Sequence, residues 1–248
     1  MTYLKNSKEI EIMRRAGKIS ALALDEVEKN IKIGVNTKKL DSVAEGVIRK
    51  FGAEPSFKKV NGYKFCICTT PNDWVVHGIP GDYVLKNGDI IGVDLGAYYK
   101  GYHSDMAHTY IVGSGDDGKK KFLKIGEQTL WRAIEEAKVG NKVGDVSNVI
   151  QSSIEEAGYS VVRELVGHGV GKELHEDPLV PGIGRKGTGL EIKEGMVLAI
   201  EIIYNLGKPQ IALLKDGWTI ATKDREISGL FERTIAVTKK GPVVLTRT

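Results

Sequence analysis

An α+β fold with an antiparallel sheet, written twice along the chain, is what this sequence predicts, and three observations carry it. The first is a repeated phrase. LKNGDIIGVDLG and IKEGMVLAIEII each run from a Lys-x-Gly turn into an apolar strand that holds one acid, Asp94 in the first and Glu201 in the second, 107 residues on. The second is a repeated helix. Leu40, Val43, Ala44, Val47, Ile48 and Phe51 share their spacing with Val146, Val149, Ile150, Ser153, Ile154 and Ala157, and Gly52 and Gly158 follow alike. Spacings of 3, 4, 7, 8 and 11 form one stripe on a helix of 3.6 residues per turn. The third is element order: helices then short β-type runs, twice over, which argues against alternating βαβ units.

Taken in order, the first helix starts at Asn6, with Glu9 as its capping-box partner, and runs through Ile10, Met13, Ala16, Leu24 and Val27. A second starts near Thr37. From Phe57 to Val112 the runs CICTT, VVHGIP, DIIGVDL and HTYIV, broken by Pro71, Pro80 and glycines, read as strands. GSGDDG, followed by Lys119, Lys120 and Lys121, reads as the connector between halves. Helices are then expected from about Lys121 to Lys138 and from Asp145 to Ala157, before strands ending in FERTIAV and VVLT. No nucleotide-binding glycine pattern follows a strand.

With 248 residues and 41% hydrophobic content, the chain is expected to be one unit with halves at about 1–113 and 120–248. It has no apolar run of about 18 residues, and MTYLKNSKEIEIMRRAG lacks the apolar core of a secretory signal, so a soluble cytoplasmic protein without membrane contact is expected. Cys66 and Cys68, two apart, are expected on one face of a strand as reduced thiols. A formal charge of +4 suits docking to an anionic surface such as a ribosome, with no specific nucleic-acid site and a monomeric state expected.

The chemistry lies in the acids. Glu201 sits inside VLAIEII, and a buried carboxylate has to be neutralised by a proton, a cationic side chain or a metal. If the halves pack about a pseudo-twofold axis, Asp94 and Glu201 approach each other and something positive must lie between them. Asp94, Asp105, His168, Glu201 and Glu232 form the candidate constellation. Asp94 and Asp105 flank the tight GAYYKGYHS segment, and His168 lies between glycines in GHGVGKELHEDP.

The segments PNDWVVHGIP, VDLGAYYKGYHSD, GHGVGKELHEDP, DGWTIATKDR and FERTIAV, in this order and spacing, resemble type I methionine aminopeptidases of the pita-bread fold over essentially the whole chain. The resemblance implies two pseudo-symmetric halves around a central curved, mainly antiparallel sheet flanked by helices. It implies two divalent ions (Co, Mn, Fe(II) or Zn) bridged by Asp105 and Glu232, with Asp94 on one and His168 and Glu201 on the other. Such a pair, about 3.5 to 4 Å apart, can share a hydroxide. The activity implied is removal of the N-terminal methionine from nascent polypeptides and peptides. His77 and His175 would face the substrate, His175 donating to the developing oxyanion, and Glu201 would shuttle a proton. Tyr63, Cys68, Leu174 and Trp218 would line the methionine pocket. His103 and His108 are expected to be packed or solvated.

Four positions depart from the family pattern: Ile202 and Ile203 replace Pro-Met, and Leu230 and Arg233 replace Gln and His. Leu174 stands where an aromatic is more usual. Rival readings are an Xaa-Pro aminopeptidase or prolidase, whose catalytic unit usually follows an extra N-terminal domain, and a non-catalytic binding protein on the same scaffold, which should have lost its ligands.

Overall fold

A computed structural model describes residues 2–248. The first part of the chain supplies helices α1 (Ser7–Asn30) and α2 (Thr37–Lys50) and strands β1 (Glu54–Pro55), β2 (Ile67–Pro71), β3 (Trp74–Val76), β4 (Ile90–Leu95), β5 (Ala97–Tyr99), β6 (Tyr102–His103) and β7 (Met106–Ile111). The second part supplies α3 (Asp117–Glu136) and α4 (Val143–Glu156), then β8 (Ser160–Val161), β9 (Val166–Gly169), β10 (Glu176–Pro181), β11 (Val197–Asn205), β12 (Ile211–Leu213), β13 (Ile220–Thr222), β14 (Ser228–Thr238) and β15 (Gly241–Val244).

The helix starts are set by local chemistry. Asn6 accepts from the Lys8 and Glu9 amides while Glu9 accepts from the Asn6 amide, closing the expected capping box. Helix α3 begins earlier than expected. Asp116 accepts from the Lys119 amide at 2.8 Å and caps the helix, so GSGDDG contributes its last residues to α3 and the lysine run lies in its first turns. Helix α4 also begins two residues early, because Asp145 is the capping partner of Lys142 and not the first helical residue.

Strands β10, β9, β11, β14, β7, β4 and β2 lie in that order in one curled sheet, antiparallel throughout, with β8 on β11 and β15 on β14. Within that sheet the seam between the two parts of the chain is β7 on β14, and β3 pairs with β13 across them in a smaller sheet. One sheet face is covered by helices. Leu40, Ala44 and Ile48 of α2 join Ile91, Val93 and Leu95 of β4 in one core, and Val146, Ile150 and Ile154 of α4 join Leu198, Ile200 and Ile202 of β11 in another. The matched helical stripes are thus the surfaces that bury the sheet. The other face, bearing the acids, opens into a cavity.

Cys66 departs from expectation. Strand β2 starts at Ile67, so Cys66 lies outside the strand, where Asp41 accepts from the amides of Cys66 and Ile67. Cys66 enters the helix-side core and Cys68 the opposite one, and both are free thiols. Among the described residues no helix is long and apolar enough to cross a membrane.

Phe122 of α3 stacks on Tyr204 of β11 with ring centroids 4.3 Å apart, and the Tyr204 hydroxyl donates to the Phe122 carbonyl at 2.6 Å. Phe122→Ala is expected to destabilise the protein by about 3–5 kcal/mol, read by urea denaturation. Trp131→Ala, on the exposed side of the same helix, is expected to cost far less.

Candidate metal centre

The register of four neighbouring strands puts the acids in a row. Asp94 of β4 pairs with Ala107 of β7, Ala107 pairs with Glu232 of β14, and Glu232 pairs with Glu201 of β11. Directly paired residues share a sheet face, so Asp94, Glu232 and Glu201 point the same way across a gap filled by the small Ala107. Asp105, two residues before Ala107, adds a fourth carboxylate to that face. Asp94 and Glu201 are the partly exposed positions of otherwise buried strands, open only toward the cavity.

His168 reaches the row from β9, whose register sets it opposite Ala199 of β11. Its flanking glycines are required by close backbone approach. A Cβ at Gly167 would meet the Ala199 carbonyl at 2.6 Å, and one at Gly169 would strike the Asp177 carbonyl. The His168 Nδ1 donates to the Gly169 carbonyl at 2.9 Å, which leaves Nε2 as a free lone pair 3.9 Å from Asp105 Oδ2.

Burial dominates the electrostatics. Asp94, Asp105 and Glu232 are all held well above the usual carboxylate range, first by desolvation and then by neighbouring charge: Glu201 acts on all three, Asp94 on Asp105 and Glu232, and Asp105 on Glu232. Glu201 is pushed up to about 7 by burial. His168 is lowered to about 4 by burial and by His175, so its imidazole is neutral at physiological pH.

The residues present suit a divalent metal. Asp94 Oδ1 and Asp105 Oδ1 are buried without a hydrogen-bond partner. The ligating atoms of Asp94, Asp105 and Glu232 lie within 4.8 Å of one another, as do those of His168, Glu201 and Glu232, and those of Asp105, His168 and His175. Oxygen-rich donor sets with one or two imidazoles match hard and borderline divalent ions.

The cavity above the row, about 490 Å³, is lined by all eleven residues singled out in the sequence: the five above together with Tyr63, Cys68, His77, Leu174, His175 and Trp218. His77 follows β3 with φ of 57°, an uncommon value for a non-glycine residue, and is fixed by the Thr69 amide donating to the Gly78 carbonyl at 2.8 Å. His175 stacks edgewise on His168 with centroids 4.4 Å apart. Both rim imidazoles are exposed at the cavity mouth, and partial desolvation there lowers each from the usual histidine range, His77 also through the charge of His175. Tyr63, Cys68 and Leu174 form one apolar cluster with Phe57, against which Trp218 packs, the Tyr63 and Trp218 rings 5.1 Å apart. His103 and His108 are packed as expected, the first on Ser56 and Tyr98 and the second edge-on to Phe231.

Sequence reasoning missed Phe57, Val76, Glu164, Leu165 and Leu179, which also line the cavity. Ile203 and Val166 carried a legible signal, each two residues from a candidate ligand, Glu201 and His168, on the same strand face.

Residues 11–239 match Metallopeptidase family M24. The chain is 48% identical to methionine aminopeptidase 1 of Bacillus subtilis over 247 residues, covering 100% of both chains. It superposes on the crystal structure of methionine aminopeptidase from Thermotoga maritima with a TM-score of 0.99 at 42% identity, covering 100% of each. A prolidase from Pyrococcus furiosus is more distant, with a TM-score of 0.80 at 27% identity, covering 99% of this chain and 65% of that one.

The pH dependence of the metal-free protein tests the burial of Glu201. Its carboxyl is raised from 4.5 to about 7, so between those values the folded state holds a proton that the unfolded chain has released, and stability falls as pH rises. Glu201→Gln removes that penalty. In urea denaturation the metal-free variant is expected to gain on metal-free wild type as pH climbs from 4.5 through 7, by on the order of 3 kcal/mol; a difference independent of pH would contradict the burial.

Proposed function

The chain belongs to metallopeptidase family M24, and from that membership and the row of acids we infer that it is a methionine aminopeptidase, a metal-dependent hydrolase that removes the N-terminal methionine from nascent chains. The observation that carries the reading is the pair of overlapping donor triads, sharing Glu232, at the end of an apolar cavity. In this reading Asp94, Asp105, His168, Glu201 and Glu232 would hold two divalent ions, Asp105 and Glu232 contributing to both, Asp94 to one and His168 and Glu201 to the other. When bound, such ions supply Lewis acidity and make water nucleophilic near neutral pH.

The protein's own groups do the rest. Tyr63, Cys68, Leu174 and Trp218 grip an unbranched thioether side chain and exclude water from it. His175 donates to the carbonyl oxygen as its charge develops, and His77 contacts the leaving peptide nitrogen or the backbone of the second substrate residue. Glu201 takes a proton from the attacking water and returns it to the leaving amine. A site closed around a free amine accounts for cleavage one residue from the N-terminus.

The prolidase reading is disfavoured by the full-length identity to methionine aminopeptidases. The proposed unit is one catalytic domain of two related halves, about 1–113 and 120–248, acting as a monomer in the cytoplasm. The charge of +4 supports docking to ribosomes.

Loaded with Mn(II), Co(II) or Fe(II), the protein is expected to release methionine from Met-Ala-Ser, to ignore the N-acetylated peptide and to lose turnover on chelation. Equal hydrolysis of Xaa-Pro peptides would favour the prolidase reading instead. Asp105→Ala is expected to abolish turnover and weaken Mn(II) binding. His175→Ala should keep its metal while kcat falls roughly 10²-fold, and undiminished kcat would remove His175 from its assigned role.

A further inference from the structure

The N-terminal arm ahead of α1 meets the segment that carries His175. The Lys5 ammonium donates to Glu176 Oε2 at 2.6 Å across 171 residues of sequence, with the Lys5 side chain 1% exposed and that of Glu176 15%. The other Glu176 oxygen, Oε1, accepts from the Glu173 amide at 3.2 Å, so this carboxylate closes the turn from Glu173 to Glu176 that presents His175. The turn has little room to move. A Cβ at Gly171 would meet Glu176 Oε1 at 2.5 Å and the Lys5 Cε at 2.7 Å, and the His103 amide donates to the Gly171 carbonyl at 2.8 Å.

The arm is itself fixed. The Lys5 amide donates to the Gly195 carbonyl at 2.7 Å, Asn6 caps α1, and the Tyr3 hydroxyl donates to Glu9 at 2.6 Å. The Lys172 ammonium lies over the Tyr3 ring, 5.4 Å from its centroid. A buried ammonium and carboxylate in contact are stable together, and removing one leaves the other desolvated and unpaired. Glu176 would then turn toward water and take the neighbouring imidazole with it.

We propose that Lys5 is a positioning residue for the reaction: through Glu176 it holds the His175 imidazole at the cavity rim. This rests on the assignment of His175 as the oxyanion donor. Displacement of such a donor by about 1 Å can cost on the order of 10²-fold in rate. Leu174 of the methionine pocket shares the turn and His168 stacks on His175, so metal content and KM are read beside kcat.

Lys5→Met keeps the apolar stem and removes the charge. On Met-Ala-Ser, kcat is expected to fall roughly 10- to 100-fold with bound Mn(II) retained and KM moving far less than kcat, and Lys5→Arg to recover most of it. In nitrogen-15 histidine spectra of the metal-free protein, the His175 ring signal, identified by its loss in His175→Gln, should shift and broaden in Lys5→Met and return in Lys5→Arg. Wild-type kcat, an unmoved His175 signal, or a loss that tracks metal content or folded fraction would overturn the proposal. If Lys5→Met does not fold, Glu176→Gln, which keeps an acceptor for Lys5, should show the same changes in smaller measure. Should wild type release no methionine, the aminopeptidase reading fails, while the histidine spectra still decide whether Lys5 positions His175.

Discussion

Four carboxylates on one dry sheet face, two of them directly opposite each other, set the terms for the rest of the molecule. Glu201 and Glu232 are paired across β11 and β14, an arrangement that is destabilising for like charges in a sheet. Desolvation raises all four acids, neighbouring charge adds to it at Asp94, Asp105 and Glu232, and the same pressure makes the centre a strong site for divalent metal. The row depends on register. A slip of one residue at the β7–β14 seam would turn Glu232 to the helix side and bring Arg233 into the cavity. The helices bury one face of the sheet and so hold that register.

Much of this was legible in the residues because charge interrupts hydrophobic pattern in few places. Asp94 and Glu201 stand out as acids inside apolar strands, and the stripes of α2 and α4 declare the face each buries. The capping box at Asn6 follows from side-chain chemistry three residues apart. Other features were hidden for equally physical reasons. Helix starts at Asp117 and Val143 depend on which of several adjacent polar residues caps, and the fate of Cys66 depends on Asp41, 25 residues away. The straight row through Ala107 is a fact of strand register, which no single segment encodes. Phe57 and Glu164 reach the cavity from segments outside the sheet, and Leu179 from the strand at its end.

The four departures from the family pattern separate by strand alternation. Ile203 lines the cavity and Leu230 packs in the cluster with it, on the face of the acids, while Ile202 is in the helix-side core. Arg233 lies behind the sheet. Its Nη1 donates to the carbonyls of Ala107 at 2.9 Å and Glu232 at 2.7 Å, a register pair, so it clasps the seam from the far side. Its charge lowers the Glu232 carboxyl, but by less than burial and the neighbouring acids raise it. The isoleucine and leucine make the wall beside the acids more apolar, and the arginine reinforces the register that aligns them.

Acids raised in this way bind protons that a divalent metal has to displace. Calorimetric titration of the metal-free protein with Mn(II) at pH 6.5, in two buffers of different ionisation enthalpy, tests it most directly. Saturable binding is expected, with a heat that differs between buffers in the sense of net proton release. Absence of saturable binding, or a heat identical in both buffers, would contradict it.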